Sequence, residues 1–311
     1  MSSEFITADI LDWAQTQPDD RFDLVFGSPP YCDARTYEDE TLPDGVRCHM
    51  GCEEWVTWMI EVSLACQRIC KGPIFWVCAG VTRDRNYWPG PEGLSWEWWK
   101  RGGDCQLYRP CAFHRVGIPG SGGEDYFRAD WEYVFCLKKP GPLTWSDNTA
   151  CGHPPKYAPG GEMSYRLSDG QRKNGNRKAI TRRNRKGIRH HTKRKADGDM
   201  ESQDYVSPTL ANPGNVISGK VGGGHMGSPA AHLGEAPFPE WLVERFVLSF
   251  CPPGGLILDP FSGTGTTAAV AVKYKRNAVG VDIRESQTRI ARKRTRNIIP
   301  FMGVRSKACK T

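Results

Sequence analysis

Long apolar runs are missing from this 311-residue sequence. The most apolar stretch, 74–81 (IFWVCAGV), is far short of the roughly 20 residues a membrane-spanning helix needs, so no membrane association is expected. Residues 1–13 (MSSEFITADILDW) carry acids and no basic run, unlike a secretory signal. A disulfide framework is missing as well: twelve cysteines are spread over a chain long enough to bury a core without staples. The tight groupings are Cys48-His49 with Cys52, and Cys66 with Cys70. CHxxC and CxxxC are not zinc spacings, and no second CxxC or HxxxH completes them. No metal site is expected, and the thiols read as reduced, those of a protein in the cytoplasm. Internal repeats are absent.

Glycine and proline are plentiful, at 34 and 23 residues, which suggests long loops set into a folded scaffold. Charge is unevenly spread. Residues 166–195 hold 13 Lys/Arg against one acid, Asp169, a net +12, so the rest of the chain carries −5 of the +7 total. An acidic body with one intensely basic segment suggests a polyanionic partner rather than a merely solvated loop.

Three stretches follow from the patterning. Residues 1–139 read as α/β: 22–27 (FDLVFG) is a short buried strand, 53–70 an amphipathic helix, Gly72-Pro73 a break, and 74–78 and 131–137 further strands. Residues 140–231 lose all periodicity, and a loop-rich insert of that length needs a task such as binding. Residues 232–311 regain order, with a helix from Pro239 to Phe250, a strand at 255–259, a helix at 266–275, a strand at 277–282 and a basic helix at 286–296. Alternating strands and helices imply a mostly parallel sheet with helices on both faces.

Two motifs sit at strand ends. The first runs Asp259-Pro260-Phe261-Ser262-Gly263-Thr264-Gly265-Thr266-Thr267, an apolar strand ending in an acid, then a glycine-rich turn opening a helix. Ligands of open α/β sheets bind at such turns, where Gly263 and Gly265 let the backbone approach closely and the hydroxyls cap the helix. The following strand ends in Asp282, about 20 residues on, where a carboxylate suits a ribose diol. Taken alone, this pattern fits several nucleotide folds. The turn is not GxGxxG, and no GKS or GKT phosphate loop is present. An acid at the strand end suits a cationic ligand, such as the amino group or sulfonium of S-adenosylmethionine.

The second motif, Ser28-Pro29-Pro30-Tyr31, follows the 22–27 strand. Two prolines have no N–H to donate, so the turn presents acceptors: the Ser28 hydroxyl and nearby carbonyls. Tyr31 offers a flat face for stacking. An exocyclic amine on a nucleobase is a poor nucleophile because its lone pair is conjugated with the ring. Acceptors on its two hydrogens would free that pair for attack on a methyl group, once the base has left the duplex.

Together the motifs make the sequence similar to the DNA amino-methyltransferases, whose (D/N/S)PP(Y/F/W) and DPFxGxGTT loops are matched by 28–31 and 259–267. The order here, catalytic loop before cofactor loop with a variable region between, resembles the permuted β group. Residues 236–245 (APFPEWLVER) resemble the helix preceding the cofactor loop, and 7–11 (TADIL) resemble a GD-x-L element with Ala8 in place of glycine. The likeness covers about 5–140 and 230–297 but not the middle.

The resemblance implies a Rossmann-like methyltransferase sheet with an inserted, basic target-recognition region. It implies S-adenosylmethionine as cofactor and double-stranded DNA as partner. Ser28, Pro29, Pro30 and Tyr31 would hold the target base. Asp259, Pro260, Phe261, Ser262, Gly263, Thr264, Gly265, Thr266 and Asp282 would line the cofactor, with Asp9 toward its adenine end and Phe238 and Pro239 toward its methionine end. Arg172, Lys173, Arg177, Lys178, Arg182, Arg183, Arg185 and Lys186 would contact DNA, and Arg289, Arg292, Lys293, Arg294 and Arg296 would form a DNA-facing or solvated surface. The tryptophans, Trp88, Trp96, Trp98 and Trp99 among them, read mainly as packing.

Serine at the head of the tetrapeptide resembles cytosine-N4 enzymes, whereas aspartate is typical of adenine-N6 enzymes. Adenine-N6 methylation stays open as the alternative, as does, from another class, a non-catalytic nucleic-acid-binding protein, which would need the basic segment but neither motif. A monomer or homodimer fits, and a cognate restriction endonuclease would act separately, in a bacterial, archaeal or phage-infected cell.

Overall fold

The computed structural model describes residues 1–32, 50–117, 123–154, 162–166, 172–176, 192–194, 200–202, 210–234, 236–296 and 298–301. In chain order the elements are β1 (Ser3–Thr7), α1 (Ile10–Gln15), β2 (Leu24–Gly27), α2 (Cys52–Ile69), β3 (Ile74–Cys78), β4 (Val81–Arg83), β5 (Asn86–Trp88), α3 (Gly90–Arg101), β6 (Gln106–Leu107), β7 (Cys111–Val116) and β8 (Trp131–Lys138). They continue with β9 (Glu162–Arg166), β10 (Arg172–Asn176), β11 (Thr192–Arg194), β12 (Met200–Ser202), β13 (Val216–Lys220), α4 (Glu240–Phe250), β14 (Leu256–Asp259), α5 (Thr266–Lys273), β15 (Asn277–Asp282) and α6 (Glu285–Thr295).

One sheet organises the main unit, residues 1–150 and 214–311, in the order β1-β15-β14-β2-β3-β8-β7-β13 with β6 also on β8. Pairing is parallel from β1 through β3 and between β7 and β13, and antiparallel on both sides of β8. The sheet is therefore mostly parallel. Its central strands are apolar throughout, LVFG in β2 and IFWVC in β3, because helices cover both faces.

The two cores follow from that layering. On one face α2 buries Trp55, Met59, Val62, Cys66 and Ile69, one stripe at spacings of three and four, with Glu53 and Glu54 in its first turn opposing the helix dipole. They join α1, Trp76, Leu94 and Trp98 in one cluster. On the other face α4 sets Leu242, Val243, Phe246 and Val247 against Phe26 and Phe75, with α5 and Ala291 of α6 alongside. Pro239 is the N-cap of α4, one position before the expected first turn.

Residues 151–213 form a second compact unit. Within it β9 and β10 pair antiparallel, as do β11 and β12, and an isolated bridge joins His153 to Ala211.

Three findings differ from the sequence reading. The stretch expected to lack periodicity holds the paired strands β9–β12, and residues 216–220 within it form β13 and pair with β7 in the main sheet. A five-residue strand containing Gly219 carries too little pattern to be read, since its pairing partner is about a hundred residues away. Of the α3 tryptophans only Trp98 is in the core; Trp96 and Trp99 are 57% and 58% exposed and stack on each other at 5.2 Å. Arg294 is neither solvated nor surface-facing: its side chain is 3% exposed and binds Glu240 Oε1 at 2.7 Å, because α4 and the 264–266 turn supply its partners.

Phe246 lies 4.7 Å from Phe75 and 5.1 Å from Phe26, ring to ring, and clamps α4 to the sheet. Phe246→Ala should cost about 3–5 kcal/mol of unfolding free energy, read as a lower urea midpoint at unchanged slope.

Candidate active site

The strands carrying the two motifs are neighbours: Ile257 pairs with Leu24 and Leu258 with Val25. Both point the same way, so 28–31 and 259–267 leave the sheet side by side at the carboxyl ends of β2 and β14. The contact is close. A Cβ on Gly27 would sit 2.9 Å from Asp259 Oδ1 and 3.2 Å from Pro260 Cδ, so only glycine leaves room for the Asp259 carboxylate.

The turn after β14 is built by local bonds. Asp259 Oδ1 accepts from the Phe261 N–H at 3.1 Å. Gly265 N–H donates to Ser262 O at 2.7 Å, and Ser262 N–H to Val281 O at 2.9 Å. Gly263 and Gly265 take φ of 45° and 79°, the left-handed region that favours glycine. Asp282 braces the turn from β15, accepting from Gly263 N–H at 2.8 Å through Oδ2 and from Arg284 N–H at 3.0 Å through Oδ1. Arg294 donates to Thr266 Oγ1 at 3.0 Å from the opposite side. Phe261 packs between Trp58 and Trp76, at 5.5 and 5.9 Å.

Buried polar groups in this turn are left wanting. Asp259 is 2% exposed, and burial pushes its carboxyl up to about 7, with the Thr267 hydroxyl and the Phe261 N–H opposing the rise and the charge of Asp282 adding to it. Ser262 Oγ is buried with no hydrogen-bond partner among the described residues. A buried carboxylate short of positive charge beside an unpartnered hydroxyl is the donor set that an ammonium or sulfonium ligand with polar arms would complete.

The 28–31 turn is held from two directions. Pro29 is buried, and Ser28, Pro30 and Tyr31 are half-buried. Trp55 of α2 donates its indole N–H to Pro30 O at 2.6 Å. Tyr31 donates its hydroxyl to Glu132 Oε2 at 2.8 Å. Burial, then the Glu132 charge, pushes the Tyr31 phenol well above its ordinary value against a hydrogen bond from the Ser28 hydroxyl, so it stays a protonated donor. Beside this lies a second carboxylate, Glu92 of α3, accepting from Tyr87 at 2.9 Å and Tyr133 at 3.1 Å.

The remaining expected residues divide as follows. Asp9 caps α1, accepting from Leu11 N–H at 2.7 Å, where Ala8 N–H reaches Asp282 O. Phe238 packs edge-on against Phe26 at 5.5 Å, and Pro239 is buried behind it. Pro260, Thr264 and Thr266 are buried in the turn. Arg172 and Lys173 fall on β10, in the second unit. Arg177, Lys178, Arg182, Arg183, Arg185 and Lys186 lie outside the described residues.

Sequence reasoning missed Trp55, Glu132 and Glu92. Trp55 sits on the apolar stripe of α2 and reads as packing. Glu132 carries a signal, a lone acid inside the apolar strand WEYVFCLK.

Residues 22–293 match the family model for the N6/N4 DNA methylases. Over 301 residues the chain is 26% identical to the Type II methyltransferase M.BglII of Bacillus subtilis, covering 93% of this chain and 68% of that one. It is 46% identical to the Type II methyltransferase M2.DpnII of Streptococcus pneumoniae over 56 residues, 18% of this chain and 21% of that one. Among solved structures, the cytosine-N4-specific PvuII DNA methyltransferase superposes with a TM-score of 0.63 at 15% identity, over 94% of this chain and 86% of that one. A DNA modification methylase of Thermus thermophilus, complexed with S-adenosyl-L-methionine, gives 0.54 at 19%, over 96% and 97%. The chain belongs to the N6/N4 family of DNA methylases, and it is a DNA methyltransferase whose cofactor is S-adenosylmethionine.

The raised Asp259 carboxyl has a sign that can be checked. The folded protein holds this proton more tightly than the unfolded chain does, so stability falls as pH rises from the ordinary value of 3.8 to about 7 and is flat above it. Asp259→Asn should remove that fall. Urea denaturation without cofactor should find the variant more stable than its parent at pH 8 and indistinguishable from it near pH 4.

Proposed function

We propose that this DNA methyltransferase acts on the exocyclic N4 of cytosine, at a specific sequence in double-stranded DNA, after the base has flipped out of the helix. The observation that carries this reading is the serine heading a Pro-Pro-Tyr turn that leaves the sheet beside Asp259.

The bound cofactor supplies an electrophilic methyl group on a sulfonium that leaves as a neutral thioether. Asp259, Phe261, Ser262, Gly263, Gly265 and Thr266 would hold it, with Pro260 and Thr264 shaping the turn, Asp282 toward the ribose, Asp9 toward the adenine, and Phe238 and Pro239 toward the methionine end. Asp259 opposes the ligand's positive charge, and that partnership offsets the cost of burying the carboxylate.

On the other side, the target amine donates its two hydrogens to acceptors at 28–31. The Pro30 carbonyl is committed to Trp55 and the Ser28 hydroxyl proton to the Tyr31 phenol, which leaves the lone pairs of the Ser28 hydroxyl and the Ser28 and Pro29 carbonyls for the base. As these accept, the amine lone pair is freed from conjugation and attacks the methyl carbon; the carbon–sulfur pair departs with sulfur, and the amine proton passes to solvent. Tyr31 stacks on the extruded base and repays part of the few kcal/mol lost in unstacking. Arg172, Lys173, Arg177, Lys178, Arg182, Arg183, Arg185 and Lys186 would bind the DNA backbone and read its edges. Protection of DNA from a separately acting endonuclease is the role that the names of the Type II relatives suggest.

Expression in a methylation-free bacterial host, followed by nucleoside mass spectrometry of its DNA, should reveal N4-methylcytosine. N6-methyladenine would overturn the choice of base, and neither product would overturn the reading. Ser28→Ala should lose about a hundredfold or more in methyl transfer, as expected for one removed positioning group, with cofactor and DNA binding retained in equilibrium titrations. Deleting 177–186 should abolish sequence-specific methylation while cofactor affinity stays unchanged.

A further inference from the structure

The turn at 28–31 is tied to a charge pair that lies outside both motifs. Tyr31 Oη is 2.8 Å from Glu132 Oε2. The other oxygen of that carboxylate, Oε1, is 2.8 Å from Arg115 Nη1. Glu132 is 8% exposed, and Arg115 donates again to Ala129 O at 3.0 Å. The sheet makes this arrangement possible. Glu132 of β8 stands opposite Phe113 of β7, and the period of two along a strand puts Arg115 on the same face as Phe113.

An acid and an arginine between apolar strands are costly to bury unless each is well partnered. Arg115 Nε is buried with no partner among the described residues, which makes the pair more costly still. What it does provide is a fixed acceptor for one phenol. A partly buried tyrosine in a turn has two side-chain rotors, and a bond at the tip of its ring selects one orientation. Trp55 fixes the backbone of the turn at Pro30, and Glu132 fixes the far tip of the Tyr31 ring.

We propose that Glu132, held by Arg115, is a positioning residue for methyl transfer: through the Tyr31 hydroxyl it sets the plane on which the flipped base stacks, and so aims the amine at the methyl group. This rests on the reading of 28–31 as the base-holding turn. The phenol is suited to the task because its raised pKa keeps it a donor across the working pH range. Small misplacements at a reacting centre are expensive in rate, so the bond acts on the transfer step rather than on cofactor binding.

The test is a double-mutant cycle on single-turnover methyl transfer to unmethylated genomic DNA, with cofactor affinity measured separately. Tyr31→Phe removes the hydroxyl, and with it the bonds to Glu132 and to Ser28, and leaves the Glu132–Arg115 pair intact. Glu132→Ala removes the acceptor, and Glu132→Gln keeps an oxygen that can accept. Tyr31→Phe and Glu132→Ala should each slow transfer by about tenfold or more, with cofactor affinity within about twofold of the parent. The double variant should be no slower than either single, and Glu132→Gln should recover most of the rate. If Glu132→Ala does not fold, Tyr31→Phe and Glu132→Gln still decide the matter. Tyr31→Phe as fast as the parent, or losses that multiply in the double variant, would overturn the proposal. A parent protein that methylates no DNA would sink the reading of the turn and this inference together; multiplicative losses in an active parent overturn this inference alone.

Discussion

Two parallel strands, β2 and β14, end next to each other, and almost everything else about the site depends on how closely they do so. In an open α/β sheet the loops on either side of a reversal in strand order diverge and leave a crevice. Here α1–α3 cover one face and α4–α6 the other, and from the β14–β2 boundary the strand order runs outward through β15 and β1 on one side and through β3 and β8 on the other. A side chain at position 27 would fill the space the Asp259 carboxylate occupies. Glycine there lets an acid stand at one strand end and a proline-rich turn begin at the other, within one small region.

Around that crevice the polar groups fall into two kinds. Some are spent on bracing. Asp282 holds Gly263 and Arg284, Arg294 holds Thr266 and Glu240, and the Pro30 carbonyl holds Trp55. Others are left with unmet demand: Asp259 carries a carboxyl raised by burial, and Ser262 Oγ has no partner among the described residues. Leaving buried polar groups unsatisfied destabilises the unliganded protein, and rigid bracing keeps those groups aimed while they wait. A preorganised electrostatic site has this character, since donors and charges fixed in advance need no rearrangement when charge develops.

Much of this was legible in the sequence because it is locally encoded. The strands at 74–78 and 277–282 are found at the bounds read from the sequence, and the helix read at 53–70 is found at Cys52–Ile69 because its buried stripe repeats every three to four residues. Both site turns are short strings whose glycines, prolines and acids have local conformational meaning. What escaped notice depends on partners far away in the chain. β13 exists because β7 is beside it, and α3 opens with Gly90-Pro91, which reads as loop even though proline suits a first helical turn. Arg294 reads as one more charge on a basic helix until Glu240, fifty-four residues earlier, is seen against it. Trp55 and Glu132 act on the 28–31 turn from other elements, and no spacing rule connects them.

The central claim is that the two turns form one site because position 27 has no side chain. Gly27→Ala tests it most directly, with S-adenosylmethionine affinity measured by calorimetry and methyl transfer measured on the same preparation. The added methyl must displace Asp259 or Pro260, so both affinity and transfer should fall by about tenfold or more, in a protein whose circular dichroism is that of the parent. A Gly27→Ala protein that binds cofactor and methylates DNA like its parent would contradict the account.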